Sequence, residues 1–282
     1  MKSVHELNAL DNVSGYEIRR ILDLERFLQM INEDSLTLVS PEKWQDPYEK
    51  ALQKHYETNG VLQNGGKVFG LCWSTESRSD ALWRIYSPNQ LGIQVSTTVG
   101  KLSSALDFGL GLEVLPTRTF IGRVSYLPET VNSRSPYPWR ADPRGFGLGS
   151  GDFSSPIKKF SDALSEITRF ARDGAQADSQ KIARAFLIKR RAFQHESEIR
   201  LLCLPTQAEQ VLLQTVPNYE NSLLKIKAPM EQLITRIEFD PRMGDHLHGL
   251  LTEFVKAKLP HLRKSNIKRS TIYKIPNLAH VT

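Results

Sequence analysis

The segment from Phe193 to Leu204 (FQHESEIRLLCL) places two acidic side chains directly before an apolar run with the composition of a buried strand. Residues two apart on a strand share a face and lie about 6.6 Å apart. Glu196, Glu198 and Arg200 are therefore predicted to line one face of a strand. The alternate residues are predicted to face an apolar core: Ile199, Leu201 and Cys203. The segment thus constrains the chain to a fold with a sheet that carries charge on one face of a buried strand.

Carboxylates at the point where a strand becomes buried are costly unless they are paired or used. The pair therefore predicts a functional site around Glu196 and Glu198. The alternative is a strand end at which one of these glutamates forms a solvent-exposed ion pair with Arg200.

The remaining periodicity predicts helices and strands that mix without regular βαβ alternation. Strands are predicted at 16–21, 35–39, 67–74, 91–96, 120–126, 222–226, 233–239 and 270–275. Helices are predicted at 24–31, 80–86, 157–172, 178–191 and 245–259, with a turn-rich loop at 41–49 and a long loop rich in Pro, Gly and Arg at 128–156. This order predicts an α+β fold with a mixed sheet and flanking helices, in a single domain over residues 1–282.

The chain carries a net charge of +6, and its basic residues are clustered. Two clusters lie at 189–191 and 263–269, and a third set of arginines shares the loop with aromatic residues: Arg134, Tyr137, Trp139, Arg140, Arg144 and Phe146. Such surfaces attract phosphates, although many basic clusters are only solvated faces. Because single-stranded bases stack on aromatic rings and guanidinium planes, Trp139, Arg140 and Arg144 are predicted to bind a nucleic acid.

Several classes of protein are disfavoured by the composition. No apolar run approaches the ~20 residues of a membrane helix, and the N-terminus lacks the apolar segment of a secretory signal. The lack of such a run also predicts no membrane partner. Cys72 and Cys203 lie in apolar runs, which favours buried thiols and a cytoplasmic protein. His246 and His248 lack a third ligand at metal-binding spacing, so no metal is expected there.

Four segments together resemble a large bacterial family that is known as a domain of unknown function. The segments are the loop from Leu36 to Glu49 with its Trp-x-Asp-Pro-x-Glu pattern, the Cys72-Trp73-Ser74 strand with the Leu82-Trp83-x-x-Tyr86 helix, the Glu196-x-Glu198-x-Arg200 strand, and the strand–helix–strand tail. The resemblance covers most of residues 16–275. The chain departs from the family pattern at Gln45, Tyr48 and His195.

The order of an early arginine, a middle serine and a later Glu-x-Glu also resembles ADP-ribosyltransferases of the arginine–serine–glutamate type. The resemblance implies a split sheet that binds NAD, the substrate that donates ADP-ribose, between its halves. It implies that Arg19 or Arg20 contacts the NAD pyrophosphate, that Ser74 and Thr75 form the serine position, and that Glu198 is catalytic with Glu196 beside it. Trp83 or Tyr86 would stack on nicotinamide. Because such transferases can act as bacterial toxins or phage-defence effectors, we expect this chain to have such a role. A toxin of this type has a possible antitoxin as its partner.

The chemistry of the reaction requires such residues. Cleavage of the nicotinamide–ribose bond builds positive charge on the ribose, which a carboxylate such as Glu198 stabilises, while Glu196 orients or deprotonates the acceptor. An arginine fork matches phosphate oxygens.

Structural roles were the alternatives: ion pairing for Arg19 and Arg20, core packing for Trp83 and Tyr86, and helix capping or loop closure for Asp46 and Glu49. Two other functions stay open at this point. One is a non-enzymatic module that binds nucleic acid or a partner. The other is a nuclease that binds Mg²⁺ through Asp46, Glu196 and Glu198.

Overall fold

The computed structural model describes residues 5–7, 14–58, 62, 66–108, 115–127, 179–214 and 222–274. Helices and strands are mixed in the chain, so the predicted α+β class with a mixed sheet and flanking helices is confirmed. None of the described helices has the length and apolar character needed to cross a membrane.

The described residues form twelve strands. They are β1 (His5–Leu7), β2 (Glu17–Leu22), β3 (Ser35–Val39), β4 (Phe69–Ser74), β5 (Ile93–Thr98), β6 (Thr119–Arg123), β7 (Ser125–Leu127), β8 (Ile188–Arg190), β9 (Glu198–Cys203), β10 (Leu223–Lys227), β11 (Arg236–Phe239) and β12 (Ile267–Arg269). Ten of them build one sheet in the order β1-β6-β9-β4-β2-β5-β11-β12, from which β3 and β10 branch at β4. The pairs β1–β6 and β11–β12 are parallel, and the other pairs of this sheet are antiparallel. Strands β7 and β8 form a separate parallel pair.

Eight α-helices accompany these strands in the described residues. They are α1 (Leu24–Glu33), α2 (Pro47–Thr58), α3 (Asp80–Tyr86), α4 (Val99–Ala105), α5 (Ser179–Ala185), α6 (Gln207–Gln214), α7 (Met230–Leu233) and α8 (Asp245–Lys258). Helix α1 shows how local sequence sets a boundary, because the Asp23 carboxylate accepts a hydrogen bond from the backbone N–H of Arg26 at 2.8 Å. The helix ends at Asp34, whose φ of 47° is left-handed.

The two faces of the central sheet pack against different clusters. The larger core contains Ile199, Leu201 and Cys203 from β9, as the alternation of the strand predicted, together with residues of α1, α4, α7 and α8. Leu202, on the opposite face of β9, packs in a second cluster with residues of α2 and α5. Glu198 and Arg200 lie on this second face, so their charges are buried between two layers.

Five predicted elements differ from the structure. The strand predicted at 120–126 is divided into β6 and β7, which lie in different sheets. Residues 47–49 begin α2 instead of continuing a loop, because the Asp46 carboxylate accepts a hydrogen bond from the N–H of Tyr48 at 3.0 Å. The helix predicted at 178–191 ends at Ala185, and residues 188–190 form β8. Glu196 lies at the end of a 3₁₀ helix (Arg191–Glu196), which a single residue, Ser197, separates from β9. The last strand is Ile267–Arg269, earlier than the predicted 270–275.

The helix predicted at 157–172 and the loop predicted at 128–156 lie outside the described residues.

Candidate functional site

The central sheet is split beside β4. Val39 of β3 pairs with Gly70 at one end of β4, and Arg19 of β2 pairs with Ser74 at the other end. Between these two pairs, Leu71, Cys72 and Trp73 pair only with β9 among the described strands. A cleft of about 570 Å³ opens at the split, and a cavity of about 190 Å³ adjoins it.

Arg200 is the central cation of the cleft, and its side chain is 0% exposed. Its Nε and Nη2 donate to the two carboxylate oxygens of Glu198 at 2.7 and 2.9 Å, and its Nη1 donates to the carbonyl of Phe186 at 2.7 Å. Arg200 also forms an ion pair with Glu49 and lies 4.4 Å from the ring centroid of Trp44. The predicted pair of Arg200 with a glutamate therefore forms, but it is buried and does not lie in solvent.

Lys189 joins Glu196 and Glu198, the two glutamates around which the sequence predicts a site. Its Nζ donates to Glu196 Oε2 at 2.6 Å and to Glu198 Oε2 at 3.1 Å. The hydroxyl of Tyr86 donates to Glu196 Oε1 at 3.3 Å. Glu198 is 2% exposed and the Glu196 side chain 13% exposed, so Glu196 is the more accessible carboxylate.

A left-handed turn brings Glu196 to this position. Ser197 has φ 44° and ψ 55° and ends the 3₁₀ helix that carries Glu196. The carbonyl of Glu196 accepts a hydrogen bond from Ser74 Oγ at 2.6 Å, and the carbonyl of Ser197 accepts one from Thr75 Oγ1 at 3.1 Å. The two glutamates therefore meet through the turn and Lys189, whereas the sequence predicted a shared strand face.

A second ion pair closes the outer part of the cleft. Arg190 contacts both carboxylate oxygens of Asp46, with Nη2 at 3.0 Å from Oδ1 and Nε at 3.3 Å from Oδ2. Its guanidinium also lies 4.5 Å from the ring centroid of Tyr48 and 5.2 Å from that of Phe193. Asp46 thus caps α2, as the structural alternative for this residue predicted, and it also pairs with Arg190, which was not predicted.

The charges of the network shift each other's pKa values. Burial opposes ionisation of Glu198, but the Arg200 and Lys189 cations outweigh it and lower the pKa of Glu198 to about 2. Burial raises the pKa of Glu49 despite the nearby Arg200. Burial opposes the charge of Lys189, yet Glu198 and the other carboxylates raise its pKa. Glu198 and Lys189 are therefore charged at neutral pH.

The two cysteines are poor nucleophiles. Burial, together with the negative charge of Glu198, raises the pKa of Cys72, which lines the cleft. Burial raises the pKa of Cys203 to about 12. Both thiols are therefore protonated at neutral pH.

Arg19 and Arg20 have different surroundings. Arg19 pairs with Glu17 and donates to the carbonyl of Thr75 at 3.4 Å. Arg20 is half-buried, lines both cavities, and makes no hydrogen bond or ion pair with any described residue. Burial lowers the pKa of Arg20. Arg20 is therefore one cation that the described residues leave available for an anion in the cleft.

The structure separates the other predicted site residues. Ser74 and Tyr86 line the smaller cavity together with Arg19, Arg20, Glu196 and Glu198. Trp83 is 2% exposed and lines neither cavity, so it packs as a core residue. Trp139, Arg140 and Arg144 lie outside the described residues.

The carboxylates named for a magnesium nuclease do not form a shared oxygen cluster. Asp46 pairs with Arg190, Glu198 with Arg200, and Glu196 with Lys189. Nor do the described residues contain any group of three or more His, Cys, Asp or Glu side chains arranged to hold a metal ion.

Sequence reasoning missed three residues of the site. Glu49 had a signal, because it stands in the Trp-x-Asp-Pro-x-Glu pattern that carries the family resemblance. Trp44 belongs to the same pattern. Lys189 gave no signal beyond its basic neighbours, because the predicted helix through 191 hid its position on β8.

We compared the chain with models of protein families, with curated proteins and with solved structures, and found no significant match in any of the three.

Proposed function

We propose that this chain is an NAD-dependent ADP-ribosyltransferase that modifies nucleic acid, and that it acts as a bacterial toxin or phage-defence effector. The observation that carries the proposal is that one cavity brings together two glutamates, a serine and an arginine that has no hydrogen-bond or ion-pair partner among the described residues: Arg20, Ser74, Glu196 and Glu198. Arg19, Ser74 and Glu198 also lie opposite one another on three adjacent strands, and directly opposed residues of antiparallel strands share a face.

The split beside β4 supports the same proposal. A transferase of this type binds NAD between two halves of a sheet, and the cleft lies where β2 and β3 diverge from β4. Its volume of about 570 Å³ is within the usual range for sites that enclose a small molecule. The guanidinium of Arg20, to which no described residue is paired, suits the NAD pyrophosphate because its fork matches phosphate oxygens.

The burial of the two glutamates favours different roles for them. Arg200 and Lys189 already donate to both oxygens of Glu198, so the role of this residue is to position Lys189. Glu196 is more exposed, and Lys189 and Tyr86 hold its carboxylate at the cavity. We therefore assign to Glu196 the contact with the ribose, which the resemblance alone gives to Glu198, in addition to the contact with the acceptor.

The reaction then follows from these positions. The bond between nicotinamide and the ribose C1′ breaks, and nicotinamide leaves as a neutral molecule. Negative charge from Glu196 stabilises the positive ribose in the transition state. The acceptor atom bonds to C1′ and gives its proton to a carboxylate, for which Glu196 is the accessible candidate.

The decisive experiment is incubation of the protein with ³²P-labelled NAD and a mixture of RNA, DNA and protein. We expect label in a nucleic-acid fraction and release of nicotinamide. Glu57→Gln, on the outer part of α2, is a matched control for Glu196→Gln. Absence of both label and nicotinamide release with folded wild-type protein would contradict the proposal, and label in protein alone would contradict the nucleic-acid acceptor.

A second candidate function is a module that binds its ligand without chemistry. The closed network around Glu198 favours this alternative, because buried ion pairs of this kind occur in purely structural roles. Calorimetric binding of NAD without any nicotinamide release would favour the module over the enzyme. A possible antitoxin partner and the predicted acceptor contacts of Trp139, Arg140 and Arg144 remain part of the enzyme proposal only.

A further inference from the structure

The larger cavity extends beyond the smaller one along the segment that follows the 3₁₀ helix Pro41–Lys43. Lys43, Trp44 and Gln45 line only the larger cavity, whereas Glu196 and Glu198 line both. The carboxylates therefore lie where the two cavities join, and a second ligand can approach them from the Trp44 side.

Trp44 is held in one orientation by its packing. The Arg200 guanidinium lies 4.4 Å from its ring centroid, and the ring packs partly buried against the second apolar cluster. A Cβ atom at Gly70 would lie only 2.5 Å from Trp44 Cζ2, so the absence of a side chain at Gly70 makes room for the indole. The ring is half-buried, and it is fixed before any ligand binds.

The neighbours of Trp44 have the chemistry of a nucleotide site. Lys43 is exposed and makes no ion pair with a described residue, so its ammonium is available for a phosphate. Gln45 is exposed and offers an amide donor and acceptor to the edge of a base. Phe193 supplies a second aromatic ring to the same cavity.

We propose that Trp44 and Lys43 form the acceptor subsite, in which a base of a single-stranded nucleic acid stacks on the indole and its phosphate contacts the lysine. As an acceptor subsite, this assignment rests on the proposed transferase function. Aromatic rings beside cations are how proteins bind single strands without sequence preference, and the net charge of +6 favours a polyanion.

The test measures the affinity of a fluorescein-labelled single-stranded RNA decamer by anisotropy, with and without an excess of an uncleavable NAD analogue. We expect Trp44→Ala to weaken binding by about 5- to 150-fold, which corresponds to about 1–3 kcal/mol for one stacked base. Trp44→Phe should recover most of this affinity. Lys43→Gln should reduce the slope of log affinity against log salt by about 0.7, and Lys50→Gln, an exposed lysine outside the cavity, should not change it.

Unchanged RNA affinity in a folded Trp44→Ala protein would overturn the assignment. Competitive displacement of the RNA by the NAD analogue would also overturn it, because the cleft would then hold one nucleotide site. If Trp44→Ala does not fold, tryptophan fluorescence decides: RNA must quench the wild-type protein more than Trp44→Phe, and equal quenching refutes the proposal. Trp44-dependent RNA binding by a protein that neither binds nor cleaves NAD would refute the transferase function and leave the nucleic-acid site standing.

Discussion

Two buried carboxylates of this protein are paired with an arginine two residues later in the chain, and they have different surroundings. Asp240 accepts from Arg242 Nε at 3.0 Å and from Nη2 at 2.7 Å, and Ser87 Oγ donates to it at 2.5 Å. Arg242 also donates to the carbonyls of Trp83 and Ser87. This group fastens the end of α3 to the start of the loop after β11, and neither Asp240 nor Arg242 lines the two cavities.

The Glu198–Arg200 pair has the same chemistry but adjoins a cleft. Its neighbours Glu196 and Lys189 line the larger cavity, as does Arg20, which has no hydrogen-bond or ion-pair partner within the part of the chain that the structure describes. The comparison teaches that buried charge alone does not identify a site. A candidate site differs from a structural ion pair because one of its charged groups faces a cavity and can still form a hydrogen bond with a ligand.

The largest expected effect is on stability, and it differs between the Glu198–Arg200 and Asp240–Arg242 pairs. Arg200→Ala leaves Glu198 and Glu49 buried without their main cation, so we expect the free energy of unfolding in urea to fall by about 3–5 kcal/mol. Arg242→Ala should cost less, about 1–3 kcal/mol, because the Arg242 side chain is 20% exposed and water can replace part of its bonding. Equal losses in the two variants would remove the distinction between the two pairs.

The next effect is on catalysis. Glu196→Gln keeps the size of the side chain but removes its charge at the cavity, so we expect transfer to fall by about 10²-fold or more. The melting temperature should change little. Asp240→Asn is the matched variant, and its activity should follow only the folded fraction. Wild-type turnover in folded Glu196→Gln would show that the accessible carboxylate is not used.

The third effect is a pH dependence. Because the pKa of Glu198 is about 2 in the folded protein, its charge contributes about 3 kcal/mol of stability above the pKa of the unfolded chain. This contribution is lost as the pH falls from about 5 towards 2. The raised pKa of Glu49 acts in the opposite direction, since its protonation relieves a buried charge.

The measurement compares urea unfolding of wild-type protein and Glu198→Gln over this pH range. The stability difference between the two should be largest near neutral pH and should shrink in acid. A difference that does not depend on pH would mean that Glu198 is not held ionised by Arg200 and Lys189.

The smallest effect is on ligand affinity, and it distinguishes the role of Arg20 from that of Arg19. Arg20→Ala should weaken NAD binding by about 1.5–3 kcal/mol, the range for hydrogen bonds to charged groups. Arg19→Ala should have a smaller effect, because Arg19 is already bound to Glu17 and to the Thr75 carbonyl. Calorimetry that finds the larger loss for Arg19 would reverse this assignment.

The sequence predicted the elements whose periodicity is strong. The alternation in β9 correctly assigned Ile199, Leu201 and Cys203 to the core. The prediction placed Glu196 on β9, but Ser197 has a left-handed backbone conformation and the strand begins only after it. Serine rarely adopts this conformation, so the sequence does not indicate the break. Lys189 was missed because a basic run at the end of a predicted helix is typical of a solvated surface. Its buried position depends on the pairing of β8 with β7, which is distant in the sequence.

The split of the sheet has a mechanical consequence. Strand β4 carries β2 on one rung, Arg19 opposite Ser74, and β3 on another, Val39 opposite Gly70. Helix α1 joins the far ends of β2 and β3 and packs against the larger core through Phe27, Met30 and Ile31. Beside the cleft, β4 therefore pairs with each of these two strands at a single residue pair, whereas six pairs join it to β9. The width of the cleft is thus fixed less by the backbone hydrogen bonds of β4 than by the side-chain packing of its walls.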